Sequence, residues 1–439
     1  MKAIIPAPPA FIDPARSFRA IIHNCDKDMP LLSGDPRFVD LSAGRGDQVT
    51  KMVVRDICDH QAGIFTHISL VSHRGAGKST EIHQIEKKTA DRFQPVYIEA
   101  NVEMDPNEIE IEDLFLTIAV AVERELRRIE KPLPLALLER IETWFADAIK
   151  TTKWATGYNP QVAAGIAGKF EVPFLGSMFA QAKALLKYES EYRTEVKQVI
   201  KRYPQSLLDS VNELLDEANR LVAPKSLLVI FDNLDRYNPV TIDELLIVGA
   251  DRVRMLRTHL LLTPPINLLL QPRSAQIDEC YMCYDLFTVR LRKRGQRYDE
   301  FDVDSPGRDL LEQSLAKRID LDLMIPEKSV RDRLIAASGG AIRELLDLVS
   351  MAARYTEGAT MTEADVERAI SRRKQRIRDQ INFNGWWPTL REIAETKQPV
   401  DNEHCRTLLY QRLAFKYNGE GWYDVHPLIA ELPEFSAGK

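Results

Sequence analysis

The chain has 439 residues, of which 44% are hydrophobic and 28% are charged. At about 100–200 residues per domain, this length predicts two to four domains, and the composition is that of a globular protein with a full core. The net charge of −6 excludes a global basic field that would bind nucleic acid regardless of its sequence, although it is compatible with a local basic patch.

The N-terminus and the cysteines indicate the cellular compartment. Residues 1–18 lack the long apolar core and the cleavage site of a signal peptide, and no stretch approaches the ~18 apolar residues of a membrane span. The five cysteines are interpreted as free thiols. Cys280 and Cys283 form a C-x-x-C pair, but the spacing of the remaining ligands favours a structural role over a zinc site. We therefore expect a cytoplasmic protein that does not contact a membrane.

A phosphate-binding loop follows the first predicted strand. The strand covers residues 64–71, and the next nine residues, 72–80, read S-H-R-G-A-G-K-S-T. Glycines let the backbone turn its N–H groups inward around a polyphosphate. The lysine can reach the β and γ phosphates, the serine hydroxyl can bind Mg²⁺, and the following helix points its positive end at the anion. The candidate nucleotide-binding residues are Arg74, Gly75, Ala76, Gly77, Lys78, Ser79 and Thr80.

The loop departs from the pattern G-x-x-x-x-G-K-[ST] at its first position, which is Ser72. A serine there is expected to cost some backbone freedom. The phosphate-facing half of the loop is intact.

The residues after the loop are predicted to continue the nucleotide-binding domain, and a helical insertion is predicted to follow them. Periodicity predicts a helix over 79–92, a strand over 94–100 and a helix over 111–129. The interval before the next motif exceeds what one crossover requires, which predicts a largely helical insertion over 130–222. Its glycine-punctuated part, 157–176, is interpreted as a connection between helices, with a partner-contacting or membrane-adjacent element as the alternative.

Two further strands are predicted to carry polar residues into the site. Residues 226–231 are mostly apolar and are followed by Asp232, which is the pattern of a buried parallel strand that delivers a carboxylate to its carboxyl end. There Asp232 would hold Mg²⁺ and its water shell. The second candidate, residues 259–267, breaks on prolines and would aim Thr263 at the γ phosphate.

The remainder of the chain predicts helices and a terminal hairpin. The helix over 361–380 ends in the basic run Arg372–Arg378. Such runs are most often solvated helix faces, and nucleic-acid contact is the alternative. Helices over 388–396 and 401–412 precede a hairpin that turns at Asn418–Gly421. Helix, helix and hairpin is the order of a winged helix.

Together with the run S-G-G-A-I-R-E-L-L-D-L at 338–348, these segments resemble the Walker A, Walker B, sensor 1 and sensor 2 regions of AAA+ and STAND ATPases. The run D-N-L-D-R at 232–236 is similar to that of KAP-type P-loop proteins. The resemblance covers about residues 37–360 and is specific at the level of the superfamily. It implies an α/β fold: a parallel-sheet P-loop NTPase (ASCE/AAA+-like) with a helical insertion, a helical lid and a C-terminal winged-helix-like domain. The implied boundaries are 1–50 for an entry segment, 51–129 and 223–305 for the nucleotide core, 130–222 for the insertion, 306–380 for the lid and 381–439 for the winged-helix-like domain.

The resemblance also implies roles for individual residues. Lys78 would bind phosphate, Ser79 and Asp232 would bind Mg²⁺, and Thr263 and Arg343 fall at the sensor 1 and sensor 2 positions. Many relatives have an acid directly after the Walker B aspartate, where this chain has Asn233.

The acid three positions after Asp232, Asp235, is therefore the expected base that orients the attacking water. If Asp235 does not face the γ phosphate, hydrolysis would be slow. Arg318 and Arg236 are the candidates for an arginine that acts on the nucleotide of a neighbouring subunit.

The resemblance implies a regulatory switch ATPase that binds ATP and Mg²⁺, hydrolyses ATP, forms a homo-oligomer and acts with a separate protein effector. Chains of this build are often found in prokaryotic conflict and antiviral defence systems. The alternatives are an ATP-licensed DNA-binding initiator or transposition-type AAA+ protein, and a nucleotide-binding scaffold without turnover.

Overall fold

The computed structural model of the chain describes residues 13–61, 63–105, 109–140, 204–270, 273–400, 403–418 and 421–436. Most of the predicted insertion lies outside the described residues, and so does its glycine-punctuated stretch, 157–176.

Five parallel strands form the central sheet, in the spatial order β2-β3-β4-β1-β5. They are β1 His67–Ser72, β2 Phe93–Glu99, β3 Ser226–Asp232, β4 His259–Leu262 and β5 Met282–Leu286. The predictions of β1 to β4 are confirmed to within a few residues, although β4 is shorter than predicted. β5 was not predicted, because its sequence contains no continuous apolar run.

Helices cover both faces of this sheet, which explains why its strands are apolar throughout. Successive side chains of a strand point to opposite faces. In β3, Leu228 and Ile230 accordingly belong to one buried core, and Val229 and Phe231 belong to another. The helices of this half are α1 Phe18–Asn24, α2 Ser42–Arg45, α3 Val49–Cys58, α4 Lys78–Thr89, α5 Ala100–Glu103, α6 Ile111–Arg128, α7 Pro204–Val222, α8 Pro239–Asp243, α9 Ala250–Arg254 and α10 Ala275–Cys280.

Short irregular turns join some of these elements. Leu234–Arg236 and Ile266–Leu270 are 3-10 turns, and Glu244–Val248 is a π-helical turn between α8 and α9.

The C-terminal half is helical and ends in a hairpin. Its helices are α11 Gly307–Ala316, α12 Leu321–Met324, α13 Lys328–Ala337, α14 Ile342–Tyr355, α15 Glu363–Asn384, α16 Trp387–Thr396, α17 Glu403–Tyr410, α18 Pro427–Ala430 and α19 Pro433–Ser436. The antiparallel pair β6 Ala414–Tyr417 and β7 Trp422–Val425 follows α16 and α17. The predicted order of helix, helix and hairpin is confirmed, and we call residues 387–436 the C-terminal unit.

One apolar core joins three parts of the chain. They are residues 13–50, which we call the N-terminal segment, the helices α11 to α15, which we call the lid, and the C-terminal unit. Ile21 of α1, Leu345 of α14 and Leu408 of α17 are all fully buried in this core. Because burial of apolar surface is what holds these elements together, the lid and the C-terminal unit pack as neighbours. Within the described residues, no helix is both long and apolar enough to cross a membrane.

Candidate nucleotide-binding site

The predicted phosphate loop lies between the end of β1 and the start of α4. Gly75 and Gly77 have φ angles of 85° and 100°, in the left-handed region that glycine adopts without strain. A Cβ on Gly75 would also lie 2.4 Å from Cδ of Arg343. Glycine is therefore required at this position both by the backbone angle and by the lid residue packed against it.

Lys78 is held by a buried ion pair at the start of α4. Its Nζ lies 2.7 Å from Oδ2 of Asp235 and 2.9 Å from Oγ of Ser72. The side chains of Lys78 and Asp235 are 4% and 7% exposed. Because buried charges are stable only when they are paired and hydrogen-bonded, this pair fixes the end of the lysine at the floor of the site.

Ser72 fits the first position of the loop without the conformational freedom of a glycine. The residue is not among those with positive φ, so its backbone does not need glycine. Its hydroxyl lies within hydrogen-bond distance of Lys78 Nζ and donates to the carbonyl of His73 at 3.0 Å. The expected cost in backbone freedom is therefore absent, and the serine adds a contact to the lysine.

Asp232 lies at the carboxyl end of β3 with hydrogen bonds to both oxygens. The backbone N–H of Asn233 donates to Oδ1 at 2.7 Å, and Oγ1 of Thr263 lies 3.1 Å from the same oxygen. The hydroxyl of Tyr97, at the end of β2, donates to Oδ2 at 2.7 Å. Thr263 is fully buried and contacts Asp232, and its expected place at the γ phosphate stays a prediction.

Asn233 determines where Asp235 points. Its φ is 66°, in the left-handed region that asparagine tolerates better than most residues. The chain then turns through Leu234–Arg236, and this turn brings Asp235 back toward Lys78. The replacement of the usual acid by asparagine therefore has a backbone reason, which the sequence pattern alone did not supply.

Arg343 joins the lid to the phosphate loop. Its backbone N–H donates to the carbonyl of Gly75 at 3.3 Å, and its guanidinium forms an ion pair with Asp28. Asp28 belongs to the N-terminal segment, which also contacts α4 because the N–H of Leu31 donates to Oγ1 of Thr80 at 3.2 Å. The N-terminal segment is thus a wall of the site.

These elements enclose a cavity of about 330 Å³. Its lining includes the polar side chains of Lys78, Ser79, Asp232 and Asp235. The N-terminal segment and the lid also contribute apolar lining residues, which are Met29, Pro30, Leu31, Phe38, Val39, Leu41, Ile342 and Leu346. The sequence predicted only an entry segment over residues 1–50 and not a wall of the cavity, since none of these residues forms a recognisable motif.

A second buried network supports the loop. Arg45 pairs with Oε1 of Glu81 at 2.6 Å and donates to the carbonyl of Ala76 at 2.6 Å. Thr50 donates to the other oxygen of Glu81 at 2.6 Å. Arg45 lies in a Gly-Arg-Gly sequence, and this glycine-flanked arginine before the first strand is the only signal by which it could have been found.

Arg318 and Arg236, the two candidates for an arginine that acts on the nucleotide of a neighbouring subunit, lie in different environments. Arg318 is 5% exposed, lines the cavity of its own chain and donates to the carbonyls of Arg37 and Ser314. It therefore cannot reach a neighbouring subunit, and the expectation for Arg318 is wrong because the residue is needed inside its own chain. Arg236 is exposed and lines the cavity.

The oxygen donors fit a hard divalent cation. Ser79 and Asp232 line the same cavity, and hydroxyl and carboxylate oxygens are the ligands that Mg²⁺ prefers beside phosphates.

No protein-family model matches the chain, and no curated protein matches it. Among solved structures, the Walker-type ATPase PABY2304 of Pyrococcus abyssi is similar at 12% identity, covering 93% of this chain and 99% of that chain, with a TM-score of 0.47. Cdc6p from Pyrobaculum aerophilum has 10% identity, coverage of 91% and 97%, and a TM-score of 0.37. The Aeropyrum pernix ORC1 protein, solved in complex with DNA, has 12% identity, coverage of 97% and 98%, and a TM-score of 0.40.

The fold is that of an α/β P-loop NTPase. β4 lies between the strand that leads into the phosphate loop and the strand that ends at Asp232. The lid residue Arg343 lies against the loop, and a winged-helix-like unit follows the lid.

His73, the second residue of the loop, connects the site to that C-terminal unit. Its Nε2 accepts the backbone N–H of Lys416 in β6 at 2.8 Å, and its Nδ1 lies 3.3 Å from the carbonyl of Leu409 in α17. The ring also packs edge-on against Phe415. His73 is 2% exposed, and burial lowers the pKa of His73 to about 3.

This buried neutral histidine predicts a loss of stability in acid. Below its ordinary pKa of about 6.5 the imidazole gains a proton in the unfolded chain but not in the folded one, so stability falls as pH falls from about 6.5 toward 3. Between pH 7.5 and 5.5, the free energy of unfolding should fall by about 1 kcal/mol less in His73→Gln than in the wild type. Urea unfolding at both pH values measures this difference.

Three other buried histidines, His67, His259 and His426, have lowered pKa values, with burial as the largest cause in each. These histidines lower the free energy of unfolding in acid equally in the wild type and in His73→Gln. Only the difference between the two proteins therefore tests His73. Equal losses in wild type and His73→Gln would contradict the prediction.

Proposed function

We propose that the chain binds ATP and Mg²⁺ in this cavity, hydrolyses the ATP and uses the nucleotide to control the position of its C-terminal unit. The observation that carries the proposal is the convergence of Lys78, Asp232, Asp235 and Arg343 on one cavity whose loop is bonded to the C-terminal unit through His73. The apolar wall from the N-terminal segment and the lid suits a flat nucleobase.

The residues of the cavity have distinct roles in hydrolysis. Lys78 binds the β and γ phosphates, and Ser79 and Asp232 hold the metal ion. Mg²⁺ supplies neutralisation of the phosphate charge. Arg343 of the lid lies over the phosphate loop and contacts the γ phosphate, while Thr263 acts through Asp232, whose carboxylate it helps to hold.

Asp235 is the proposed base. When Lys78 turns from Asp235 to the phosphates, the carboxylate becomes available to accept a hydrogen bond from the attacking water. Breaking a buried ion pair opposes this step, so turnover is expected to be slow.

Two contacts make the C-terminal unit responsive to the nucleotide. One is the bond from the N–H of Lys416 to His73 in the phosphate loop. The other is the bond from the hydroxyl of Tyr417 to the carbonyl of Gly339 at 2.8 Å, in the turn that precedes Arg343. Adjacent residues of β6 therefore contact both the loop and the lid, and a change at either one is transmitted to the hairpin.

The proposal extends to partners by analogy. The resemblance to STAND and KAP-type proteins suggests a cytoplasmic regulatory ATPase that acts with a separate effector protein in a prokaryotic defence system, and this step rests on fold-level analogy. In a homo-oligomer, the exposed Arg236 would be able to reach the nucleotide of a neighbouring subunit.

The second candidate is an ATP-licensed DNA-binding initiator, which is favoured by the exposed Arg372 and Arg376 on α15. Other cations of the basic run are neutralised, since Arg373, Lys374 and Arg378 pair with Glu344, Glu431 and Glu434. The helix that precedes the hairpin, α17, also contacts the domain of the central sheet. The hydroxyl of Tyr410, at the end of α17, donates to the carbonyl of Tyr237 at 3.1 Å.

Filter binding of duplex DNA across a salt series separates the two candidates. We expect no binding at low salt, because the exposed basic surface is small. Affinity that falls steeply with salt would support the initiator, and its loss in Arg372→Ala/Arg376→Ala would assign the binding to α15.

Asp235→Asn is expected to retain ATP binding and to reduce phosphate release by about 10²-fold or more, because the amide cannot accept a proton from water. Asp209→Asn is a matched control, since Asp209 lies on α7 and bonds Gln205. Nucleotide titration and a phosphate-release assay measure both quantities. Unchanged turnover in Asp235→Asn would refute the assignment of the base.

Hydrogen exchange tests the coupling to the C-terminal unit. ATP with Mg²⁺ is expected to accelerate exchange in residues 414–417, because binding rearranges the loop that holds the N–H of Lys416. The effect should be absent in Lys78→Ala, and residues 227–231 in the buried strand β3 serve as the internal control. Identical exchange in 414–417 with and without bound nucleotide would show that the hairpin does not sense the site.

A further inference from the structure

Tyr97 occupies a defined place beside the metal-binding carboxylate. In the described part of the chain, its hydroxyl is the side-chain donor to Oδ2 of Asp232, at 2.7 Å, whereas Asn233 and Thr263 contact Oδ1. Thr263 has one hydroxyl proton, which it shares between Asp232 and the carbonyl of Phe231 at 3.2 Å. The orientation of the carboxylate therefore depends strongly on Tyr97.

The register of the sheet explains how Tyr97 reaches this carboxylate. β2 and β3 are parallel, and Glu99 is the partner of Asp232. Tyr97 lies two residues before Glu99 and therefore on the same face of the sheet. Two residues of a strand span about 6.6 Å, a distance that a tyrosine side chain can bridge.

The ring of Tyr97 is fixed on its other side. His83 of α4 stacks on it with ring centroids 5.3 Å apart and an interplanar angle of 30°. His83 is itself held by Glu86, whose Oε2 lies 2.6 Å from Nδ1. A side chain held at the ring and at the hydroxyl has little freedom to turn away from Asp232.

The hydroxyl of Tyr97 is the donor of this hydrogen bond, because a carboxylate oxygen can only accept.

We propose that Tyr97 is a positioning residue for the metal site, which orients the Asp232 carboxylate so that it can hold Mg²⁺ beside the phosphates. The proposal rests on the proposed function, because it assigns Asp232 to the metal. An oxygen that accepts one hydrogen bond has a second lone pair, so Oδ2 can accept from Tyr97 and still contact the metal or its water. Partners of this kind typically alter metal affinity by about 10–100-fold.

The test is the Mg²⁺ requirement for nucleotide binding. A fluorescent ATP analogue is titrated with Mg²⁺ on the full chain and also bound in the presence of EDTA. In Tyr97→Phe, which removes only the hydroxyl, the Mg²⁺ concentration for half-saturation should rise about tenfold, while binding in EDTA stays as in wild type.

Tyr284→Phe is the matched control. The hydroxyl of Tyr284 also donates to a carboxylate, that of Asp56, but Tyr284 is not among the described residues that line the cavity. This variant should retain the wild-type Mg²⁺ requirement. Thermal unfolding of both variants verifies their folds. If Tyr97→Phe does not fold, Thr263→Val removes a donor from Oδ1 at nearly constant volume and should raise the Mg²⁺ requirement through the same carboxylate.

The outcomes are distinguishable. An unchanged Mg²⁺ requirement in a folded Tyr97→Phe would overturn the positioning role. Loss of binding in EDTA as well would also overturn it, because Tyr97 would then contact the nucleotide itself. Failure of the wild-type protein to bind the analogue under any condition would instead refute the proposed function.

Discussion

The buried ion pair between Lys78 and Asp235 is the contact on which the arrangement of the site depends. Taking two charges out of water is costly, and their mutual attraction offsets this cost only when the geometry is good. Three local features supply that geometry. Ser72 contacts the lysine, α4 begins at Lys78 itself, and the left-handed Asn233 turns Asp235 toward it. The two departures of this chain from the usual P-loop and Walker B patterns, Ser72 and Asn233, therefore belong to the same interaction.

The same loop links the nucleotide cavity to the end of the chain. His73 is adjacent to Ser72 and accepts a hydrogen bond from the N–H of Lys416. The phosphate loop and the C-terminal hairpin are therefore joined by one hydrogen bond. Glu344, next to Arg343 in the lid, is likewise buried and paired with Arg373 and close to His426. Polar groups buried in this way are costly to separate from their partners, so the loop, the lid and the C-terminal unit constrain one another.

Much of the fold could be predicted from short-range patterns. The apolar run before Asp232 and the glycines of the loop are local signals, and they identified β3 and the phosphate loop. β5 could not be predicted in this way, because an edge strand with mixed composition has no strong period. The wall formed by the N-terminal segment was also missed, since Phe38 and Val39 acquire their role only from the cavity that they help to close.

The sequence by itself determined which residue types stand in the phosphate loop and at the end of β3, because the pattern that predicts phosphate binding is a fixed spacing of residue types along one loop and one strand. Tertiary structure decided which groups face each other. Thr263 lies against Asp232, and Arg318, which was expected to act on a neighbouring subunit, lies buried inside its own chain. Tyr97 reaches Asp232 only because β2 and β3 pair in one register. Such contacts between residues far apart in the chain depend on packing of the whole core, which no local pattern encodes.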